Sequence, residues 1–369
     1  MNSKNLINNE KDELIHNKLK NKFENIKSNY FLQKLFNNIQ KKTLLEIIKY
    51  NKNIQKRLNI NINTYKEYSE KYSSIEIEII PHENKYGKFI NIYNKKEEAY
   101  YNIYFDNNKE IMKRGYLNKE DQVKIIKIII SYQVKSFYYL FSECDCIKSI
   151  YFKKFHRNNI INMSGIFNEC SSLEEINFSN FNTDNVINMS FMFSNCTSLK
   201  EIDVSNFNAI NVKDMSYMFR YCSLLEKINL SSFNTNNINN MKGIFKGCKS
   251  LKEINLSNFK TNKVTNMDEM FLECSSLIEI DLSNFETNNV INMSCMFSDC
   301  SSLEKINLSN FNTNKVIDMS CMFSGCSALK EIDLHNFNFN NITHKSYMFN
   351  KCSNELKMKI KERFKNLVE

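Results

Sequence analysis

Apolar residues in the second half of the chain recur with a fixed period of 26 residues. Cysteine marks this period at Cys144, Cys170, Cys196, Cys222, Cys248, Cys274, Cys300, Cys326 and Cys352. A phenylalanine precedes each of these cysteines by three residues, from Phe141 to Phe349. A fixed period of this length is typical of a solenoid, in which each repeat is one supersecondary unit stacked on the previous one. The pattern therefore predicts an array of stacked coils.

Within one repeat, two kinds of apolar spacing follow each other. Ile254 and Leu256 alternate with polar residues, which predicts a short strand with these two side chains pointing inward. Between Val264 and Cys274 the apolar steps are three, three, one and three, which predicts a short helix or helical turn. We therefore predict an α/β solenoid of the leucine-rich-repeat type, with one parallel sheet whose strands lie about 4.8 Å apart.

The first third of the chain has a different pattern. Residues 1–29 are polar and charged, and we expect a leader that is disordered or forms a frayed helix. Apolar residues at helical spacing predict two or three short helices over residues 30–60. Alternation over residues 74–80 predicts a strand ended by Pro81, and residues 89–93 and 100–105 predict two more. Residues 30–117 should thus form a small α+β N-terminal domain.

Both ends of the solenoid are expected to be capped, because an exposed final repeat leaves apolar surface in water. Residues 123–130 could be another strand of the N-terminal domain. However, Ile126 lies one period before Phe152, so we assign this segment to an N-terminal cap and the solenoid to residues 118–352. Leu356, Ile360 and Phe364 follow helical spacing, which predicts a C-terminal capping helix over residues 353–369.

The repeat resembles the leucine-rich repeats, because Leu225-x-x-Ile228-x-Leu230 stands where those repeats carry Leu-x-x-Leu-x-Leu. It departs from the ordinary kind where a buried asparagine is usual. Phenylalanine stands there instead, at Phe181, Phe207, Phe233, Phe259, Phe285, Phe311 and Phe337. A closer resemblance is to the 26-residue repeat of the BspA-like family, which the run from Asn292-Met293-Ser294 to Thr313 follows. That family occurs in bacterial surface proteins and in protists, and the resemblance implies a binding scaffold without catalytic residues.

Charge and composition limit the partners and the location that we expect for the protein. The net charge is +9, and the excess lies in residues 1–160, which hold 30 Lys and Arg against 18 Asp and Glu. A basic surface of this kind could meet nucleic acid, although no aromatic-basic motif supports that interpretation. We expect a cytoplasmic protein without a membrane span, because no signal peptide or long apolar segment is visible. Surface asparagine and lysine are so abundant that we read single ones as compositional bias.

No residue pattern indicates catalysis, a cofactor or a bound metal. The cysteine column offers one thiol per coil beside a phenylalanine, which indicates core packing and not a metal site. Cys295 and Cys321 stand at matching positions of adjacent coils, so a redox or metal role is open for this pair. The five histidines and six glycines form no nucleophile, metal or phosphate-binding motif.

The outward strand positions are the predicted binding face, because solenoids bind partners on such extended surfaces. Two columns of side chains define it. They are Glu175, Glu201, Lys227, Glu253, Glu279, Lys305 and Glu331, and beside them Asn177, Asp203, Asn229, Asn255, Asp281, Asn307 and Asp333. The alternative is that these are simply solvated strand positions.

These observations favour a non-enzymatic protein–protein interaction scaffold. One alternative is a ubiquitin-ligase substrate adaptor, because residues 30–60 faintly resemble an F-box, although they lack its Leu-Pro opening. A second alternative is nucleic-acid binding through the basic N-terminal part, which we do not expect. The partner is predicted to be a protein of unknown identity.

Overall fold

The computed structural model describes residues 25–38, 45, 48–49, 51–93, 95–106, 108–231 and 233–364. Its helices are α1 Asn29–Asn38, α2 Lys52–Arg57, α3 Ile62–Tyr72 and α4 Asn354–Arg363, with a 3-10 turn at Glu97–Tyr100. Its strands are β1 Ile75–Pro81, β2 Gly87–Lys88, β3 Tyr101–Phe105, β4 Tyr116–Leu117, β5 Ile126–Ile130, β6 Ile147–Lys154, β7 Glu175–Asn177, β8 Glu201–Asp203, β9 Lys227–Asn229, β10 Glu279–Asp281 and β11 Lys305–Asn307. Within the described ranges, every helix is too short or too polar to cross a bilayer.

The chain divides into two compact units, Met1–Ser73 and Ser74–Glu369. The described part of the first unit is helical, as predicted for residues 30–60, and α3 extends it. Leu32, Ile54 and Leu58 belong to a separate apolar core in this unit. The Asn51 side chain caps α2 by accepting a hydrogen bond from the Ile54 amide at 3.0 Å. Residues 1–24, most of the expected leader, lie outside the described residues.

The strands predicted over residues 74–80 and 100–105 share one sheet with the first repeat, whereas residues 89–93 form no strand, so that prediction was wrong. The strand order is β3-β5-β1-β6-β7, and β1 pairs antiparallel with both β5 and β6. Residues 126–130 are therefore a strand of this antiparallel sheet, and assigning them to the repeats by their 26-residue register was wrong. The 26-residue register was misleading because a strand of the antiparallel sheet and a strand of a coil both require the same alternation of buried isoleucines. The boundary between the compact units lies at residue 73, not at residue 117.

One buried arginine joins this sheet to the coils. Arg157 is fully buried, and its Nη2 donates a hydrogen bond to the Ile130 carbonyl oxygen at 2.8 Å. Its Nη1 donates to the Tyr132 carbonyl oxygen. These two bonds hold the backbone at and just after the end of β5 against the segment that follows β6.

The parallel sheet is interrupted, which corrects the expectation of one continuous sheet. The repeat strands β7 to β11 are three residues long, and the pairs β8–β9 and β10–β11 form separate two-stranded sheets. Residues 253–255 and 331–333 form no strand. Ile202 and Ile280 are buried, whereas Ile228, Ile254 and Ile306 are only half-buried. Burial of this isoleucine does not decide where a strand forms, because β9 and β11 contain the half-buried Ile228 and Ile306.

The continuous connection between coils is instead a ladder of tight turns, which occupies the segment predicted to be a short helix. We call residues 137–144 and the equivalent segment of each later coil the turn ladder. Alternate amides bond to the next coil, as when Phe167 N donates to Met192 O at 3.0 Å. The amides between them close turns within the coil, as when Asn168 N donates to Gly165 O at 2.9 Å. Backbone groups buried in this segment are thereby satisfied in two directions.

Left-handed backbone at two positions per coil makes the ladder possible and prevents a helix. The two positions lie four residues apart in all nine coils, from Tyr139 and Glu143 to Tyr347 and Lys351. Most of them are not glycine, and this conformation costs a residue with a side chain roughly 1–2 kcal/mol. Apolar steps of three, three, one and three suit a helix and this run of turns equally well. Of the two predicted alternatives, a short helix was therefore wrong and the segment forms turns, whereas the predicted buried face was correct.

Two apolar columns fill the coils beneath the ladder. The phenylalanine rings from Phe141 to Phe349 stack with centroids 5.4–5.8 Å apart and nearly parallel planes. The cysteines beside them are buried as predicted. They are also hydrogen-bond donors, since Cys248 Sγ lies 3.2 Å from the carbonyl oxygen of Phe219 in the preceding coil. Burial raises the pKa of the Cys222 thiol to about 12, which keeps such thiols protonated.

A buried threonine joins most neighbouring coils at a further position, apart from the strands and the turn ladder. Thr287 Oγ1 donates to Asn312 O at 2.9 Å and accepts from Asn312 N at 2.7 Å. The same pair of hydrogen bonds recurs at Thr183, Thr235, Thr261 and Thr313. Alanine replaces this threonine at Ala209, which is also fully buried.

Asparagine side chains form two further ladders, which corrects their interpretation as compositional bias. In one, each side-chain amide donates to a carbonyl oxygen of the preceding coil, at Asn180, Asn206, Asn258, Asn284, Asn310 and Asn336. In the other, the donors are Asn185, Asn211, Asn237, Asn289 and Asn341. Asparagine suits both positions because one planar amide reaches a carbonyl one coil away.

The final coil is covered by α4, where a capping helix was predicted. Ser353 caps this helix, since its Oγ accepts from Leu356 N at 3.2 Å. Leu356 and Ile360 are buried, and the ring of Phe364 meets Phe339 edge-on at 5.2 Å. Residues 365–369 lie outside the described residues.

Replacing Thr287 with valine should lower the free energy of unfolding by about 1–3 kcal/mol, because the amide and carbonyl of Asn312 lose their partner in a buried place. The reverse change, Ala209→Thr, should raise it by roughly 0.5–1.5 kcal/mol by adding the missing link. Urea denaturation of both variants measures these changes. Equal destabilisation by the two substitutions would contradict the role assigned to the threonines.

Candidate binding faces

The predicted binding face is solvent-exposed along its full length. We call it the strand face, and all fourteen of its predicted residues from Glu175 to Asp333 are exposed. Their side chains leave the backbone next to half-buried or buried isoleucines, because successive strand residues point to opposite sides. The two columns of this face nevertheless have different structural roles.

The asparagine and aspartate column is used by the fold itself. In each coil the side-chain oxygen accepts a hydrogen bond from the amide two residues later, as from Ser283 N to Asp281 Oδ1 at 2.9 Å. The bond recurs at Asn177, Asp203, Asn229, Asn255, Asn307 and Asp333. This is the Asx turn, which ends the strand and starts the bend toward the phenylalanine that recurs once in each coil. Half of the predicted face therefore shapes the coil.

The glutamate and lysine column is mostly unengaged. Tyr151 donates to Glu175 Oε2 at 2.9 Å, and Lys359 of α4 lies 3.9 Å from Glu331. Between these ends, no side-chain partner is found within the described part of the chain for Glu201, Lys227, Glu253, Glu279 and Lys305. These five side chains are available to a partner.

A groove lies in the middle of the strand face, where residues 253–255 form no strand. Half-buried Ile228, Ile254 and Ile306 contribute to its floor. Charges stand along it in the order Lys227, Glu253, Glu279 and Lys305. An apolar floor between charged side chains is the arrangement by which a protein surface buries apolar area and sets the register of a partner.

A second distinctive surface lies on the turn ladder, and the sequence analysis missed it. Tyr217 and Tyr221 occupy the two left-handed positions of one coil. Their rings lie on Gly243 and Gly247 of the next coil, where any β-carbon would overlap them. The Arg220 guanidinium lies 4.6 Å from the Tyr221 ring centroid, which is cation–π distance. Among the described residues, no carboxylate pairs with this arginine.

Acidic residues of the following coils complete this surface. Lys242 pairs with Asp268 at 2.6 Å, and Lys246 pairs with Glu269 at 2.9 Å. Hydrogen bonding to Asp268 is the largest cause that raises the pKa of Lys242, so this lysine stays charged. Tyr221 is the one aromatic residue at its position in the nine coils, and Arg220 is the one arginine at its position. Tyrosine and arginine are residue types that dominate interface energies. That departure is visible in the sequence.

The cysteines do not gather into a metal centre. In the described ranges, no three His, Cys, Asp or Glu side chains are placed to hold an ion. Ten of the twelve cysteines are buried, and Cys295 and Cys321 are half-buried.

The Asx turns should make stability sensitive to acid. The hydrogen bond from the Ser283 amide holds the pKa of Asp281 below its usual value. A carboxylate with a lowered folded-state pKa stabilises the fold above its unfolded pKa, and this contribution is lost as the pH falls through the folded value. Asp281→Asn keeps the acceptor without the charge. Its unfolding free energy should fall less than that of the wild type between about pH 6 and about pH 3.

Urea denaturation across this pH range makes the comparison. The control is Glu279→Gln, which removes an exposed carboxylate of the same coil that accepts no hydrogen bond in the described structure. If the unfolding free energy of Asp281→Asn fell with pH as steeply as that of the wild type, the role of the carboxylate in the turn would be contradicted.

Comparison with known proteins supports the repeat assignment. The profile of the family described as "Mycoplasma protein of unknown function, DUF285" matches residues 135–255 and 240–362. No curated protein matches the chain. Two solved structures are similar. A leucine-rich repeat protein from Eubacterium ventriosum has 18% identity over 53% of this chain and 57% of its own, with a TM-score of 0.30.

The second structure is a leucine-rich repeat protein from Bacteroides ovatus, with 16% identity over 61% of this chain and 89% of its own, and a TM-score of 0.18. Similarity at these levels says nothing of function. The family match has more weight, because its two segments together span residues 135–362. It confirms the expected BspA-like repeat, and the chain belongs to the DUF285 family.

Proposed function

We propose that the protein is a non-enzymatic interaction scaffold, a leucine-rich-repeat solenoid that follows an N-terminal helical domain and binds a protein partner on its strand face. The observation that carries this proposal is the groove around residues 253–255. It combines an apolar floor with charged side chains that have no partner of their own in the described structure.

Within the strand face, we assign recognition to the glutamate and lysine column. The Asx column is already committed to turns, so its substitution would change folding as well as binding. The order Lys227, Glu253, Glu279, Lys305 places two negative charges between two positive ones. A partner that complements this order would carry a basic centre flanked by acidic residues.

A second candidate function is favoured by the first compact unit. The described residues between 25 and 73 include the helices α1, α2 and α3 and an apolar core of their own, as in an adaptor that joins a ligase-binding domain to a substrate-reading array. On α1, Tyr30 and Phe31 are 70% and 61% exposed, and Leu35 is 41% exposed. Such a patch marks a docking surface more often than a solvated one. In that case the strand face would bind the substrate.

Nucleic-acid binding and a cytoplasmic location stay hypotheses. The basic excess of residues 1–160 supports the first. Nucleic-acid binding would show a steep loss of affinity with rising salt concentration, since phosphate binding releases counterions.

Quantitative affinity capture from source-cell lysate tests the proposal with full-length baits. The variant Lys227→Glu/Lys305→Glu reverses both positive charges of the groove. We expect it to reduce capture of the principal partner at least about tenfold, which corresponds to about 1.4 kcal/mol. The control is Lys213→Glu/Lys200→Glu, which reverses two exposed lysines that do not line the groove.

Two other variants separate the alternatives. Arg220→Ala/Tyr221→Ala removes the surface on the turn ladder, and Tyr30→Ala/Phe31→Ala removes the patch on α1. Loss of the partner only with the turn-ladder variant would contradict binding on the strand face. Loss of a cullin-type ligase subunit with the α1 variant would establish the adaptor instead.

A further inference from the structure

Cys295 and Cys321 form a thiol pair whose chemistry differs from that of every other described cysteine. They occupy the first left-handed position of adjacent coils, with φ of 52° and 56°. Cys295 N donates to Ser320 O at 2.8 Å, and Cys321 N donates to Ser346 O at 3.0 Å. The two residues therefore stand in register on neighbouring rungs of the turn ladder and project their side chains in the same direction.

The spacing of the rungs suits a covalent bond. Backbones joined by such a ladder lie about 4.8 Å apart, and disulfides join residues whose Cα atoms are roughly 4.4–6.8 Å apart. The Cys321 thiol is close enough to affect Cys295: burial, and after it Cys321, raises the pKa of Cys295 to about 12. Asp268 and Glu269 of the preceding coil add to this rise.

Accessibility separates this pair from the cysteine column. Column cysteines are buried, and from Cys170 onward their sulfurs donate to phenylalanine carbonyls at about 3 Å, as from Cys274 to Phe245 at 3.1 Å. Cys295 and Cys321 are half-buried. The sulfur of Cys321 lies 4.0 Å from the nearest carbonyl acceptor, Ser346 O, which is the outer limit of such a bond. A small oxidant can therefore reach this pair while the column stays protected.

We propose that Cys295 and Cys321 are a modification site, at which a low-molecular-weight disulfide oxidises the two thiols to a bond between adjacent coils. One cysteine, as its thiolate, attacks the small disulfide and forms a mixed disulfide, and one small thiol leaves. The second cysteine attacks the protein sulfur of that mixed disulfide, and the second small thiol leaves. The two protons of the cysteines end on the two small thiols, and the protein loses two electrons.

The consequence is a covalent link across one full coil of 26 residues. A crosslink stabilises a fold chiefly by restricting the unfolded chain. Oxidation should therefore raise the melting temperature of the repeats without moving the strand face. Because thiolate is the attacking form, the raised pKa of Cys295 makes the reaction slow at neutral pH and faster in alkali.

The test equilibrates the full-length protein with oxidised or reduced glutathione, blocks free thiols by alkylation and maps peptides by mass spectrometry. We expect one disulfide, Cys295–Cys321, with the other ten cysteines alkylated only after unfolding. Cys295→Ser and Cys321→Ser should each abolish the bond and leave the remaining cysteine joined to glutathione. Both should fold, because other coils carry Gly, Phe, Tyr or Glu at this position.

A melting measurement gives an independent readout. Oxidation should raise the melting temperature of the wild type and leave that of Cys321→Ser unchanged. Separate glutathione adducts on both cysteines of the wild type would overturn the proposal, because the thiols would then be too far apart to close. Oxidation of column cysteines at the same rate would overturn it too.

Discussion

The repeat array depends on one constraint, which is that every backbone amide of the turn ladder must find a partner. Alternate amides bond within the coil and to the next coil, as at Asn168 and Phe167. This arrangement requires two left-handed residues per coil, and their conformational cost is offset only because each turn also makes bonds to its neighbour. Coils cannot form singly under this constraint. Stability must therefore arise from stacking, as in other repeat proteins.

The period, the buried columns and the C-terminal capping helix could be predicted from the sequence, because identical residues at a fixed spacing reveal what each coil buries. The local backbone could not. The spacing from Val264 to Cys274 defines a buried face, but a helix and a series of turns present the same face. Strand β5 was misassigned for a related reason, since Ile126 and Ile128 alternate identically in either sheet. Which segments pair through backbone hydrogen bonds decides between these structures, and the apolar pattern does not encode that pairing.

The candidate site shows the same division. Exposure of the strand face was predictable from alternation, but the engagement of Asp281 and its equivalents in Asx turns was not, because a turn and a solvated strand use the same residue type. Conversely, Arg220 and Tyr221 were visible as a break in pattern. Their significance depends on Gly243 and Gly247 one coil later, which provide space for the rings. The hydrogen-bonded roles of threonine and asparagine also require knowing which coil lies beside which.

Hydrogen exchange resolved along the sequence tests most directly that the turn ladder, and not the sheet, joins the coils. Within a single coil, amides of residues 241–248 should exchange far more slowly than those of residues 251–256, because only the former donate regularly to the next coil. The same order should hold in the coils that contain β8 and β10, by a smaller margin. Equal or greater protection of the strand segments would contradict this account of the fold.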